Sequence, residues 1–162
     1  MESFDDFDLK ILTEVQHDGA ITAARLAEKV HLSASQCSRR LQRLEGLGVI
    51  DHYTAVLNRD RLNLDVVAYV MVTLRSHSAQ NLEGFRSLIM GLPEVLDCAK
   101  ITGDADYMLK VITTDLARYN DILTEKLMRA EEVAMVRSSI VLQELKSTSQ
   151  MPLPSLEILN GG

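Results

Sequence analysis

Between Phe4 and Cys37 the sequence starts a helix three times, and this close punctuation constrains the fold more than any other feature. A well-marked helix start has a small polar cap, a polar side chain at the third helical position that reaches back, and flanking apolar residues that clamp the first turn. Phe4-Asp5-Asp6-Phe7-Asp8-Leu9 supplies all of these, with Asp5 as cap and Asp8 reaching back. Ile21-Thr22-Ala23-Ala24-Arg25-Leu26 supplies the cap and the apolar clamp, but Arg25 cannot accept a hydrogen bond. Leu32-Ser33-Ala34-Ser35-Gln36-Cys37 is complete, with Ser33 as cap and Gln36 reaching back. The spacing predicts three short helices near 6–17, 23–30 and 34–46.

Only Val30-His31-Leu32-Ser33 separates the second helix from the third, which is the connection of a helix-turn-helix with steeply crossed helices. Leu26 and Val30 on one side and Cys37, Leu41 and Leu44 on the other are its expected core. Gly48 ends the third helix, and Val49 to Leu57 reads as a strand or short wing, giving a winged helix-turn-helix over residues 1–57. Residues 33–44 carry Arg39, Arg40 and Arg43 and no acid. At about 100° per residue, Gln36, Arg39, Arg40 and Arg43 form one stripe beside the apolar seam. Arginine binds guanine edges and phosphates, glutamine reads adenine, and serine hydroxyls donate to either, so the stripe with Ser33, Ser35 and Ser38 suits a major groove. The acids of helix one (Asp5, Asp6, Asp8, Glu14) are expected to face away from DNA. Taken alone, three arginines on a helix also describe a solvated surface; the short turn, the capped third helix and the wing favour double-stranded DNA as partner.

The polar segment 58–64 reads as a linker, and the pattern changes beyond it. Val66–Leu74 is an unbroken apolar strand; Leu82, Phe85, Leu88, Ile89 and Leu92 recur at helical spacing before Pro93. Strands follow at Val95–Ile101 and Tyr107–Ile112, then a helix capped by Asp115, then a strand over Val133–Leu142. The order is βαββαβ, so residues 65–146 are expected to form a ferredoxin-like sandwich and the whole chain an α+β protein. In that architecture both helices cover one sheet face, and the other face should be polar. Val66–Leu74 does not alternate, so a second copy of the chain is the economical cover and a homodimer is expected; the amino-terminal domain or the tail is the alternative. Residues 147–162, with Pro152 and Pro154, read as an extended tail, either docked on a neighbour through Met151, Leu153, Leu156 and Ile158 or flexible.

The most distinctive loop is Thr102-Gly103-Asp104-Ala105-Asp106-Tyr107. Two carboxylates beside a conformationally free glycine can receive an ammonium group, leaving backbone N–H groups for a carboxylate, which is the chemistry that holds a free amino acid. A hairpin turn with solvated aspartates has the same residues. Ser138 and Ser139 on the last strand add hydrogen-bonding candidates. No enzyme is expected: Cys37 lies on a packing face, Cys98 has no histidine partner in sequence, and His17, His31, His52 and His77 are scattered. Two carboxylates on one loop make an incomplete metal site, and no cofactor loop is present, so neither metal nor cofactor is expected. Net charge is −6, from 17 basic and 23 acidic residues. With two cysteines, an acidic start and no long apolar run, a cytoplasmic protein without a membrane segment is expected.

Phe4-Asp5-x-x-Asp8-x-x-Ile11-Leu12, Leu26-Ala27-Glu28-Lys29-Val30-x-Leu32-Ser33 and Arg40-Leu41-x-Arg43-Leu44-Glu45-x-x-Gly48-Val49-Ile50 resemble the Lrp/AsnC (feast/famine) transcriptional regulators. Thr102-Gly103-Asp104-x-Asp106-Tyr107 and Ile140-Val141-Leu142-x-x-x-Lys146 extend the likeness over residues 4 to about 154. The resemblance implies a DNA-binding domain, an effector domain that binds a small molecule (typically an amino acid) between domains, and dimers assembling further, commonly to octamers. The family's glycine-acid loop maps onto Gly103, Asp104 and Asp106, with Tyr107 beside it as a further effector candidate, and its last-strand polar positions onto Ser138 and Ser139. Phe4 stands where a leucine is usual, and the Ser138-Ser139 pair departs from the usual threonines or larger residues. The rival reading is an architectural protein that wraps DNA without an effector.

Overall fold

A computed structural model describes residues 3–161. The chain divides into two compact units, one running through Val56 and taking in the chain from Lys146 on, the other Leu57–Leu145.

In the first unit α1 (Asp6–His17), α2 (Ala23–Val30) and α3 (Ala34–Gly46) start where their caps place them. Asp5 accepts from the Asp8 N–H and Ser33 from the Gln36 N–H, and in both cases the third residue's side chain accepts in return from the cap's N–H. Thr22 accepts from the Arg25 N–H with no reciprocal bond. Ile11, Leu12, Leu26, Val30, Cys37 and Leu44 form the core, with Phe4, Ile21, Leu32, Leu41 and Leu153 packed against it. The turn between α2 and α3 passes through His31, held in the left-handed region at φ 60° and ψ 45°.

Two expectations need correction. The segment after Gly48 is not a strand: among the described residues 51–57 have no ladder partner and are exposed. A strand is defined by its partner's backbone, and the apolar character of Val56 and Leu57 cannot supply one. Nor is the tail extended throughout. Gln16 holds Met151 by a two-way amide–backbone pair (2.7 and 3.2 Å), Leu153 joins the core, and α6 (Leu156–Asn160) brings Asn160 onto both the N–H and the carbonyl of Phe4 (2.7 and 2.9 Å).

The second unit opens with a 3-10 turn (Arg59–Leu62) and contains β1 (Val66–Leu74), α4 (Ala79–Met90), β2 (Val95–Lys100), β3 (Tyr107–Thr113), α5 (Leu116–Asp121) and β4 (Val133–Ile140). The sheet order is β2-β3-β1-β4, antiparallel throughout, which is the ferredoxin-like arrangement. Ala68, Val70, Val72 and Leu74 of β1 join Leu109, Val111, Phe85, Ile89 and Tyr119 in the core under the helices. A π-helical segment, Ile122–Leu127, continues α5. The wider π turn (Met128 N–H to Leu123 carbonyl, 2.8 Å) returns Leu127 to the face of Tyr119 and Ile122, where all three are buried. On the opposite sheet face Tyr69, Met71 and Thr73 are half-buried and no helix of this unit covers them.

His31 carries a testable strain. A side chain in the left-handed region costs roughly 1–2 kcal/mol, against about 0.5–1 kcal/mol for the added chain freedom of glycine. Since His31 is exposed, His31→Gly should stabilise the unit by up to about 1 kcal/mol. Thermal unfolding reads this, and a lowered Tm would mean that the imidazole itself holds the turn.

Candidate nucleic-acid interface and effector site

The third helix presents its polar side chains unequally. Arg40 Nη1 donates to Asp5 Oδ1 (2.9 Å) and Asp8 Oδ1 (2.7 Å), and Nη2 pairs with Asp5 Oδ2 (2.8 Å). Arg43 Nη2 pairs with Asp8 Oδ2, and Nη1 donates to the Ser3 carbonyl (3.3 Å). The two guanidinium groups lie over the Phe7 and Phe4 rings at 5.6 and 6.0 Å. Burial alone would raise the Asp5 pKa, but the Asp8 N–H and the Arg40 guanidinium outweigh it and hold the carboxyl below its ordinary value. Burial likewise opposes the Arg40 charge, and bonds to Asp5 and Asp8 overcome it and raise the Arg40 pKa. Asp5 and Asp8, two of the acids expected to face away from DNA, thus lie against α3 and pair with two of its arginines.

The remaining candidates divide in two. Ser33 and Gln36 are engaged in the cap: Gln36 Oε1 accepts from the Ser33 N–H (3.0 Å) and hydroxyl (2.9 Å). With its oxygen occupied, Gln36 offers an outside partner only its amide N–H donors, so the two-way adenine pairing expected from residue type is not available while the cap is closed. Ser35 and Arg39 are exposed, and Ser38 is half-buried. Gln42, which the arginine stripe does not include, is also exposed. Helix periodicity was the available signal, since Ser35, Arg39 and Gln42 stand at i, i+4 and i+7.

In the second unit the loop between β2 and β3 closes one end of the open sheet face. Gly103 turns there at φ 119°, a conformation that disfavours any side chain. A recess of about 240 Å³ is lined by Met71, Thr73, Ile101, Asp104, Ala105, Met135 and Arg137. The expected residues separate around it. Asp104 lines it, and Gly103 shapes the loop. Asp106 accepts from the Leu74 N–H (2.8 Å) and pairs with His77 Nε2 (2.7 Å), tying the start of β3 to the end of β1. Those two contacts, the backbone N–H first, hold its carboxyl below the ordinary value.

Tyr107 is opposite Val72 and stacks on Phe85 (centroids 4.8 Å apart), on the helix-covered side. Ser138 stands opposite Val70 on that same side, whereas Ser139 stands opposite Tyr69 on the open face. Arg137, opposite Met71, shares the open face with Ser139 and lines the recess. Strand alternation was the signal for this: neighbours on a strand cannot both face one site, while residues two apart can. Among the described residues no cluster of three metal-ligating side chains occurs, and no helix is long and apolar enough to cross a membrane.

Comparison with known proteins matches both units. The family profile described as the AsnC-type helix-turn-helix domain matches residues 4–45, and that described as the Lrp/AsnC ligand binding domain matches residues 67–151. The chain is 38% identical over 149 residues to the leucine-responsive regulatory protein of Rhizobium meliloti, covering 92% of this chain and 96% of that protein. It is 35% identical over 154 residues to the glutamate uptake regulatory protein of Zymomonas mobilis, covering 95% and 93% of the two chains. A transcriptional regulator from Neisseria meningitidis, solved as a complex with L-Met, superposes with a TM-score of 0.90 at 35% identity over 93% of this chain and 97% of that one. The matched domains and relatives are those of transcriptional regulators, not enzymes.

The Asp106 contacts generate a pH dependence. A carboxyl held below its ordinary pKa stabilises the fold fully above about pH 4 and loses that contribution as pH falls through the lowered value. Asp106→Ala should therefore lower Tm at pH 7, and the gap to wild type should narrow as acid is added below pH 4. A gap of constant size would mean that the charge of Asp106 contributes nothing.

Proposed function

The chain belongs to the Lrp/AsnC family of transcriptional regulators, and from that premise we propose that it couples the level of an apolar amino acid to its assembly and DNA occupancy. The recess between Asp104 and Arg137 carries this reading. A zwitterion needs an anion for its ammonium group and a cation for its carboxylate, and Arg binds carboxylates in two-point geometry. Asp104 and Arg137 supply one of each, and Met71, Ile101 and Met135 supply an adaptable apolar wall for the side chain. Asp106 fixes the loop rather than touching the effector, Ser139 extends the polar rim, and Tyr107 and Ser138 support the sheet from behind. The open face around the recess carries Tyr69, Met71 and Met108, so a second copy of the chain is its proposed cover, with dimers assembling further. Each dimer presents two copies of α3 to paired half-sites in the major groove.

A thermal-shift screen of the twenty amino acids tests the effector. An apolar amino acid at a hundredfold excess over its Kd should stabilise the protein by about 2.7 kcal/mol, and Arg137→Ala and Asp104→Ala should each abolish the shift. If no amino acid moves Tm or changes DNA occupancy, the effector-independent, DNA-wrapping reading stands instead. Sedimentation at micromolar concentration should give a dimer or a larger even assembly; a monomer would overturn the pairing.

A further inference from the structure

The arginines that make α3 basic are largely withdrawn from its reading edge. Side-chain exposure is 25% for Arg40 and 33% for Arg43, and the carboxylate joining them, Asp8, is 1% exposed. Asp8 sits in the first turn of α1 and bonds both guanidinium groups, while Asp5 gives Arg40 a second, two-point partner. Two acids thus balance two arginines. Arg39 is exposed, with Ser35 one turn before it and Gln42 one turn after it, also exposed.

We infer that Asp8 is a positioning residue that holds Arg40 and Arg43 as the clamp between α1 and α3, and that bases are read by Ser35, Arg39 and Gln42. This reading edge lies roughly 80° around the helix from the centre of the Gln36–Arg39–Arg40–Arg43 stripe. The chemistry of the edge is definite. Arg39 suits the O6 and N7 acceptors of guanine, Gln42 suits the N6 and N7 of adenine, and Ser35, whose hydroxyl lies 3.1 Å from that of Ser33, donates or accepts with its remaining capacity. The clamp adds a second consequence. Arginines paired with carboxylates release no counterions from phosphate, so each subunit draws less affinity from the DNA backbone than its arginine count implies.

This inference rests on the DNA-binding reading, and the two fail differently. The full chain is used to select duplexes from a randomised pool, and its affinity for the selected site and for random duplex is measured across a salt series. A wild type that selects nothing refutes sequence-specific binding itself. Given a selected site, Arg39→Ala and Gln42→Ala should each cost about 5- to 150-fold in preference at one base position, with Tm unchanged. Arg40→Ala and Arg43→Ala should lower Tm and leave the selected sequence intact.

Asp5→Asn is the decisive variant, because asparagine caps a helix as well as aspartate does while the cluster loses one of its two negative charges and Arg40 keeps only Asp8, which it shares with Arg43. It should retain the fold, tighten binding to random duplex, and steepen the plot of log affinity against log salt by about 0.9 per phosphate gained. Asp8→Asn should do the same to a greater extent where it folds. A purely structural role for the acids would weaken specific and random binding together with no steeper slope, and that result overturns the assignment. So does loss of one base preference in Arg40→Ala or Arg43→Ala at wild-type Tm.

Discussion

A carboxylate removed from water costs several kcal/mol unless charges and hydrogen bonds replace its hydration, and Asp8 is fully buried. Its two oxygens meet the Asp5 N–H, the Arg40 guanidinium and the Arg43 guanidinium. One side chain therefore closes the capping box of α1 and fixes the helix that α1 supports. Cys37 and Leu44 give α3 its apolar contact, but apolar contact is non-directional and leaves rotation about the helix axis loosely set. The forked guanidinium geometry sets it. The same bonds occupy Arg40 and Arg43, two of the three arginines on α3.

The effector domain has a parallel device. Asp106 joins β3 to β1 and its neighbour His77 while the loop before it turns at Gly103. Asp104 is thereby held at the end of the open face, near the residues of β1 and β4 that complete the recess. Two aspartates two residues apart thus do different things: one holds the loop, and the other faces solvent from it.

The sequence made the helices legible because caps are local: Asp5, Thr22 and Ser33 each bond a backbone group three residues on. The βαββαβ order was legible for a similar reason, since apolar spacing reports strand or helix within a few residues. What lay beyond it was long-range. Asp8 looks complete as the third residue of a capping box, and nothing nearby announces that it also meets Arg40, 32 residues later. The strand expected over Val49–Leu57 failed because a strand depends on a partner, and the neighbouring sequence contains none. The lining of the recess was half legible. Residue type found Asp104, but grouping Ser138 with Ser139 ignored alternation, and Arg137 was overlooked although it shares a face with Ser139.

The net charge of −6 takes on a different meaning in this light. An acidic chain can bind DNA through a basic patch, yet the patch on α3 is itself offset by Asp5 and Asp8. Among the described residues Arg39 is then the one arginine of α3 with no carboxylate partner, so α3 itself offers phosphate little net charge. In the proposed reading, occupancy is assembled from several subunits, where linking weak sites multiplies affinity without new contacts. In such a protein a change in assembly is a change in DNA binding. An effector needs only a differential affinity of about 1–3 kcal/mol between two assembly states to move occupancy by about 5- to 150-fold. Under the proposed function, weak individual contacts are what would make occupancy sensitive to a molecule bound at the sheet, because no single subunit would hold the DNA firmly enough to ignore it.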